Sequence, residues 1–234
     1  MSERLGRTER DRRRRSLGQN FLVDPRLTRQ FVAELGPLDG TTVVDIGAGV
    51  GALTVELARA GADVWAIEPD PVWYERLRVA VREAGCTGRV HAIRTSVERF
   101  RFPPQPYRVV ANPPFGMTTA LLALLLDHPA TGPSRADLVV QREVAIRHTR
   151  TPAVALRTAA WLPWWEFHLG RTLDRSAFRP RPSVDAAVLT AIRRAPALLP
   201  ERLAPTFAEA LRPAWVAAAA PRPATHTRRH PTRR

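Results

Sequence analysis

Short apolar runs alternate with helical periodicity along the first 150 residues of the chain. Aliphatic and β-branched runs, which predict buried parallel strands, occupy residues 42–46, 64–67, 90–94, 107–111 and 136–141. Apolar residues at helical spacing occupy residues 52–60, 74–84, 118–126 and 143–150. This alternation of strand and helix predicts an α/β fold with a mostly parallel, Rossmann-like sheet.

The remaining segments complete a predicted sheet of seven strands. An apolar stretch with three tryptophans, residues 161–169, predicts a strand or strand-turn and is more typical of a core than of a base-stacking platform. Residues 184–192 predict the final strand. Asp24-Pro25 is typical of a helix start. After residue 195 we expect only one short helix, around 207–211 and extending to 218, and a basic tail of low complexity.

A glycine-rich turn, Gly47 to Gly51, lies between the first predicted strand and its helix. Glycines let the backbone approach a ligand closely, and the free N–H groups of a helix start point at it. Glu68 follows the next strand, where a carboxylate can accept both hydroxyls of a ribose. The pattern also fits a dinucleotide fingerprint. However, Asp45 before the first glycine would repel a pyrophosphate and attract an ammonium group.

The fourth predicted strand ends in Asn112-Pro113-Pro114-Phe115. Two prolines exclude helix and leave a stiff loop at the carboxyl edge of the sheet, where ligands bind in open α/β folds. The Asn112 side chain and the Pro113 carbonyl offer two acceptors for an exocyclic amine, and Phe115 offers a face for a planar ring. The segment resembles the fourth motif of amino-methylating methyltransferases. Together with Asp45, it favours S-adenosylmethionine (SAM) over NAD as the cofactor.

The charge of the chain favours a polyanionic partner. Its formal net charge is +14, and all 36 basic residues are arginine, a side chain that pairs bidentately with phosphate. Arginines cluster at both chain ends, and we interpret residues 1–15 as a basic arm that orders, if at all, on nucleic acid.

Composition excludes several other classes of protein. The single Cys86 excludes a disulfide framework and a thiolate metal cage, and the six histidines are scattered, so we expect no metal site. The longest apolar run, residues 120–126, is too short to cross a bilayer. The N-terminus lacks the apolar core of a signal peptide, which predicts a cytoplasmic protein without a membrane partner.

Together these motifs resemble the rRNA adenine N6-methyltransferases, the family of the KsgA and Erm enzymes. The resemblance covers residues 16–194 and includes Gln19 to Leu22, Asp45 to Thr54, Glu68, Asn112 to Phe115 and Phe178 to Leu189, in the family's order. The segments after Ala111 and around Gln141 are most similar to Erm enzymes of actinomycete type. This resemblance implies methylation of N6 of one adenine in 23S rRNA before full ribosome assembly, by a monomer, with resistance to macrolide-type antibiotics.

The resemblance also assigns roles to individual residues. It places Asn112, Pro113 and Phe115 in catalysis, with Phe115 and Phe178 stacking the flipped adenine. The implied cofactor-binding residues are Asn20, Leu22, Asp45, Gly47, Gly49, Glu68, Ser96, Val97 and Asn112. The implied RNA-binding residues are Arg12, Arg13, Arg14, Arg15, Arg179 and Arg181.

Two departures from the family pattern leave alternatives open. The family usually carries Asp at the position of Ser96, so we expect weaker cofactor binding without that charge. We expect residues 195–234 to be a short remnant of the family's helical C-terminal domain, beyond a catalytic domain of residues 16–194. A methyltransferase-fold RNA-binding protein with little catalysis and a KsgA-like small-subunit rRNA dimethylase are alternatives. The Gln19 to Leu22 and Phe178 to Leu189 motifs argue against a DNA adenine or protein-glutamine methyltransferase.

Overall fold

The fold consists of a mixed sheet with helices on both faces, seen in a computed structural model that describes residues 20–219. In chain order its elements are β1 (Phe21–Leu22), α1 (Pro25–Glu34), β2 (Thr42–Ile46), α2 (Ala52–Arg59), β3 (Asp63–Ile67), α3 (Pro71–Glu83), β4 (Val90–Ile93), β5 (Arg108–Ala111), α4 (Thr118–Leu126), β6 (Arg135–Gln141), α5 (Arg142–Thr149), α6 (Leu156–Trp161), β7 (Trp165–Leu173), β8 (Phe178–Arg179), β9 (Ala186–Arg193) and α7 (Ala204–Ala219). The predicted arm, including Arg12, Arg13, Arg14 and Arg15, lies outside the described residues.

Seven strands form the main sheet in the order β4-β3-β2-β5-β6-β9-β7. The first five pair in parallel, whereas β9 pairs antiparallel with both β6 and β7. The predicted seven-stranded, mostly parallel sheet is therefore confirmed. The direction of strand order reverses between β2 and β5, which is the switch point where open α/β sheets bind their ligands.

Helix starts follow the capping residues in the sequence. The Asp24 carboxylate accepts from the backbone N–H groups of Arg26 and Leu27 and so begins α1. Asp70 caps α3 in the same way, so that helix begins at Pro71, three residues before the predicted start at residue 74. Helix α6 was not predicted at all. The strand expected at 161–169 lies at 165–173, because Trp161 closes that helix.

The tryptophans of this region belong to the core, as predicted. Trp164 and Trp165 are almost completely buried, and each indole N–H donates to a backbone carbonyl, that of Leu199 and that of Leu126 respectively. The Trp164 ring also packs edge-to-face on Phe207 of α7, with ring centroids 5.7 Å apart. Residues 204–219 therefore pack as a helix against the sheet domain.

A two-residue antiparallel pair, β1 with β8, joins the two ends of the domain. Phe21 pairs with Arg179 and Leu22 pairs with Phe178. Leu22 and Phe178 are both buried in the apolar layer on one face of the main sheet. Burial of these two side chains stabilises a pairing that is too short to be stable alone.

A buried carboxylate connects three strands of the sheet. Asp137 of β6 accepts bidentately from Arg135, whose Nε and Nη2 each donate at 2.8 Å, from Arg108 at 3.3 Å, and from the Thr190 hydroxyl at 2.8 Å. The Asp137 side chain is 1% exposed and that of Arg108 only 12% exposed. The charges are therefore paired out of water, where loss of one partner leaves another charge uncompensated.

We expect Asp137→Asn to lower the free energy of unfolding by about 3–5 kcal/mol, since it leaves buried Arg108 without its counter-charge. Urea unfolding followed by circular dichroism measures this loss. Glu75→Gln, which breaks an exposed pair with Arg78, is the matched control and should change stability by less than about 1 kcal/mol. Equal effects of the two substitutions would contradict the assigned role of the buried network.

Neither a membrane-spanning helix nor a group of metal-binding side chains is found among the described residues. Between residues 20 and 219, no helix has the length and apolar character needed to cross a membrane. In the same range, no three or more His, Cys, Asp or Glu side chains are grouped so that they could hold a metal ion.

Candidate functional site

A cavity of about 300 Å³ opens at the carboxyl ends of β2, β3, β4 and β5, at the switch point of the sheet. Its volume is that of a small-molecule site. Eight of the nine predicted cofactor residues line it, namely Asn20, Leu22, Asp45, Gly47, Glu68, Ser96, Val97 and Asn112, and Pro113 lines it as well. Sequence reasoning missed other lining residues, among them Phe21, Glu98 and Met117.

The ninth residue, Gly49, does not line the cavity but contacts two residues that do, Phe21 and Glu68. Its φ of +58° lies in the left-handed region, and a Cβ atom there would lie 2.8 Å from the Phe21 ring. Its backbone N–H donates to the Glu68 carboxylate at 2.9 Å. Gly49 therefore allows Phe21 to close over the turn and holds Glu68 in place.

Glu68 is held by two backbone N–H groups at the end of β3. Gly49 donates to one carboxylate oxygen and Asp70 to the other, each at 2.9 Å. The side chain is 2% exposed, and burial raises its pKa although both hydrogen bonds oppose the shift. Each oxygen retains an acceptor position, so the fixed carboxylate can bind a pair of hydroxyl groups.

Asp45 is a buried acid at the end of β2. The Thr54 hydroxyl donates to the Asp45 carboxylate at 2.6 Å, and Asp45 is 1% exposed. Burial raises the pKa of Asp45 to about 7, the Thr54 hydrogen bond opposes the shift, and the nearby Glu68 charge adds to it. Within residues 20–219 no basic side chain forms an ion pair with Asp45. The site therefore favours a ligand that brings a positive charge.

The orientation of the Asn112 amide follows from its hydrogen bond to the β1 segment. Its Nδ2 donates to the Asn20 carbonyl at 2.8 Å. Because only the NH₂ group can donate to a carbonyl, this contact identifies which amide atom is Nδ2 and which is Oδ1. Its Oδ1 is buried and has no hydrogen-bond partner in the described part of the chain. An unsatisfied buried acceptor costs about 1–3 kcal/mol, which an amine donor from a ligand would recover.

The two predicted stacking rings lie together but differ in exposure. Phe115 and Phe178 pack edge-to-face with centroids 6.3 Å apart, and Phe115 is partly exposed. Phe178 has no exposed surface, because β8 pairs with β1 and holds its ring in the core. A ring without a free face cannot stack on a base in this arrangement. We therefore correct its predicted role, since Phe178 supports Phe115 from behind.

Arginines form an exposed group beside β8. Arg179 and Arg181, both predicted to bind RNA, are exposed, and Arg181 lines a shallow depression with Arg142 and Arg175. Glu143, Asp174 and Asp185 line the same depression, so the surface is basic but not uniformly so.

Comparison with known proteins identifies the family. The profile of the ribosomal RNA adenine dimethylase family matches residues 10–217. The chain belongs to this family. An rRNA methyltransferase of Streptomyces thermotolerans is 37% identical over the whole chain and 77% of its own length. An rRNA adenine N-6-methyltransferase of Corynebacterium diphtheriae is also 37% identical, over 76% of this chain and 67% of its own length.

A solved structure agrees with this assignment. The 23S rRNA methyltransferase ErmE superposes with a TM-score of 0.73 and 26% identity, covering 86% of this chain and 80% of its own. As a member of this family, the chain is an rRNA adenine N6-methyltransferase with a methyltransferase-type Rossmann-like fold. The family resemblance predicted from the motifs is therefore confirmed.

Proposed function

We propose that this family member transfers a methyl group from SAM to N6 of a specific adenine in 23S rRNA, and that the product confers resistance to macrolide-type antibiotics. The observation that carries the proposal is the buried, unpartnered Oδ1 of Asn112 at a cavity that also holds the buried acid Asp45. Two relatives support the choice of substrate and phenotype: ErmE is a 23S rRNA methyltransferase, and a relative 35% identical over 81% of this chain is named mycinamicin-resistance protein MyrB. The chain spans 58% of MyrB.

The described residues fit SAM on the grounds of their own chemistry. Asp45 lacks a counter-cation, which the methionine ammonium would provide, and Glu68 has free acceptor positions for the ribose hydroxyls. Gly47, with φ of +76°, keeps that side of the cavity free of a side chain. When bound, SAM supplies an electrophilic methyl group.

Asn112 and Pro113 would prepare the target amine for methyl transfer. The exocyclic nitrogen of adenine is a weak nucleophile because its lone pair is delocalised into the ring. Two acceptors, the Asn112 Oδ1 and the Pro113 carbonyl, would bind its hydrogens and hold the nitrogen with its lone pair directed at the cavity. The rate gain then comes mainly from positioning, and the released proton needs no strong base in the site.

Phe115 would hold the adenine after it leaves the RNA stack. Its ring is partly exposed beside the Asn112 loop and is supported by Phe178. Removal of a base from its stack costs a few kcal/mol, which an aromatic platform partly recovers. The arginines near β8 would bind the flanking phosphates.

Primer extension on ribosomal RNA from cells expressing the chain tests the proposal. We expect one methylated adenine in 23S rRNA that is absent from cells carrying the empty vector, with a raised macrolide tolerance. A dimethylated amine stops primer extension, and a monomethylated one is found by mass spectrometry of the same rRNA fragment. A stop in small-subunit rRNA alone would mean that the substrate is small-subunit rRNA and not 23S rRNA. RNA binding without transfer of labelled methyl from SAM would show that the protein binds RNA but does not methylate it, and would contradict the proposal.

The arginines beside β8 lead to a separate expectation about salt. We expect Arg179→Gln with Arg181→Gln to weaken RNA binding and to reduce the slope of log affinity against log salt by about 2, one for each phosphate that an arginine no longer neutralises. Fluorescence anisotropy with an rRNA hairpin, measured over a series of salt concentrations, gives both quantities. Arg78→Gln, an exposed and ion-paired arginine of α3, is the control and should leave the slope unchanged. An unchanged slope in the double variant would exclude these residues from the RNA interface.

A further inference from the structure

The loop that carries Asn112 and Phe115 is anchored at both of its ends. At the first end, β5 pairs with β6, and the Asn112 amide donates to the Asn20 carbonyl. At the second end lies a single 3₁₀ turn, Phe115–Met117, which leads directly into α4. The two prolines between these ends have no N–H group to donate. The position of the Phe115 ring therefore depends on the contacts of this turn as well as on its packing against Phe178.

One residue of α4 holds the 3₁₀ turn through two hydrogen bonds. The hydroxyl of Thr118, the first residue of the helix, donates to the Phe115 carbonyl at 3.0 Å. The backbone N–H of Thr118 donates to the same oxygen. A carbonyl oxygen has two lone pairs, so both are occupied. The Phe115 backbone is thus tied to the start of α4, while its ring is supported by Phe178.

The hydroxyl of Thr118 lies on the apolar face of its helix. Thr118 is 3% exposed, and the other buried residues of α4 follow it at helical spacing, namely Leu121, Leu122, Leu125 and Leu126. Valine has the same shape as threonine and would fill this space without a polar group to satisfy. A buried hydroxyl costs free energy unless it is hydrogen-bonded, and the partner of this one is the Phe115 carbonyl. Packing alone therefore does not account for threonine at this position.

We propose that Thr118 is a positioning residue for methyl transfer, and that its hydroxyl fixes the Phe115 ring relative to the Asn112 acceptor. The inference rests on the proposed function, in which Phe115 holds the flipped adenine and Asn112 binds its amine. The hydrogen bond of Asn112 to Asn20 does not involve Thr118. Loss of the hydroxyl therefore loosens the stacking platform but leaves the acceptor in place. The base then stacks in more than one orientation, and its amine is aligned for methyl transfer for a smaller fraction of the time.

Methyl transfer from labelled SAM to an rRNA fragment, at saturating concentrations of both, tests the proposal. We expect Thr118→Val to lower this rate roughly five- to tenfold, the effect of one net hydrogen bond that aligns a substrate. Calorimetry with S-adenosylhomocysteine and gel retardation of the RNA should give affinities within about twofold of the wild type, because the lost contact acts on the aligned base alone. Thr118→Ser keeps the hydroxyl and should restore the rate to within about twofold of the wild type.

Two further variants separate the hydroxyl from other effects of the substitution. Thr119→Val changes the exposed threonine next along the same helix and is the control, with a wild-type rate expected. Phe115→Leu removes the ring and should itself slow transfer. In that background, Thr118→Val should lower the rate by less than about a further twofold, because the hydroxyl acts through the ring. Thr118→Ala, which also lacks the hydroxyl, replaces valine in these comparisons if the valine variant does not fold.

Four outcomes would overturn the proposal while leaving the proposed function in place. A wild-type rate in Thr118→Val would show that the hydroxyl is not needed. An equal loss in Thr118→Ser would assign the effect to packing of the methyl group. An equal loss with and without the Phe115 ring would mean that Thr118 does not act through that ring. A parallel loss of affinity for S-adenosylhomocysteine would assign Thr118 to the cofactor cavity.

Two other outcomes would contradict the proposed function itself. A wild-type rate in Phe115→Leu would remove the stacking platform from the mechanism, and the role of Thr118 with it. Absence of methyl transfer by the wild type, with the RNA still bound, would refute the proposed activity.

Discussion

Asn112→Ala is expected to reduce methyl transfer by about 10³-fold, with cofactor affinity changed by less than about threefold and RNA affinity unchanged. The substitution removes the buried Oδ1, one of the two acceptors that would hold the target nitrogen. Loss of a single preorganised hydrogen-bonding group in an active site typically costs about 10²–10³ in rate. We place the effect at the upper end because the Asn20 carbonyl, which now accepts from Nδ2, would also lose this hydrogen bond.

Tritium transfer from labelled SAM to an rRNA fragment measures the rate, and gel retardation of the same fragment measures RNA affinity. Gln30→Ala, which removes an exposed side-chain amide on α1, is the control and should retain full activity. A variant at Asn112 that methylates at more than a tenth of the wild-type rate would remove this residue from catalysis. A parallel loss of RNA affinity would instead assign it to substrate binding.

The local pattern of the sequence was sufficient to predict the sheet but not the elements that depend on distant contacts. Strands β2 to β6 lie within about one residue of their predicted positions, because a buried parallel strand is a continuous apolar run. Helix α6 has only six residues, and it is held by contacts with other elements: the Trp161 indole donates to Asp127 and Thr158 hydrogen-bonds His148. Such a helix has no signal of its own.

The same distinction applies to the site. Asp45 lies in the last two residues of β2, and Glu68 and Asn112 directly follow β3 and β5, so chain order alone places them at one edge of the sheet. The β1–β8 pairing joins residues more than 150 positions apart, and it fixes the Asn20 carbonyl beside Asn112 and buries Phe178. Neither consequence can be derived from local spacing. Glu98 was missed because an acid two residues after a serine is usually only the first turn of a helix.

Asp45→Asn is expected to stabilise the free protein above pH 7 and to weaken SAM binding. The Asp45 pKa of about 7 in the folded state exceeds its ordinary value of 3.8, so the folded state binds this proton more tightly than the unfolded state does. The free energy of unfolding therefore falls as pH rises from about 4 to 7, and the full cost is present above pH 7. Asparagine removes this cost and can still accept from Thr54. We expect the melting temperature of the variant to equal that of the wild type near pH 4 and to exceed it by roughly 5 °C or more at pH 8.

Cofactor affinity should depend on pH through Asp45 as well, but it should rise with pH where the free energy of unfolding falls. A cation beside Asp45 favours the carboxylate and lowers its pKa, so SAM binding to the wild type should release protons near pH 6.5 and tighten as pH rises to about 7. The variant should bind SAM at least about tenfold more weakly, through loss of one charge pair made by a buried carboxylate. Calorimetry in buffers of different ionisation enthalpy counts the protons directly. Glu68, whose pKa is also raised, remains in both proteins, so the difference between them reports Asp45 together with its interaction with Glu68. Equal proton release by both proteins would mean that no positive group of the ligand lies beside this acid, since such a group would lower the pKa of Asp45 and release its proton.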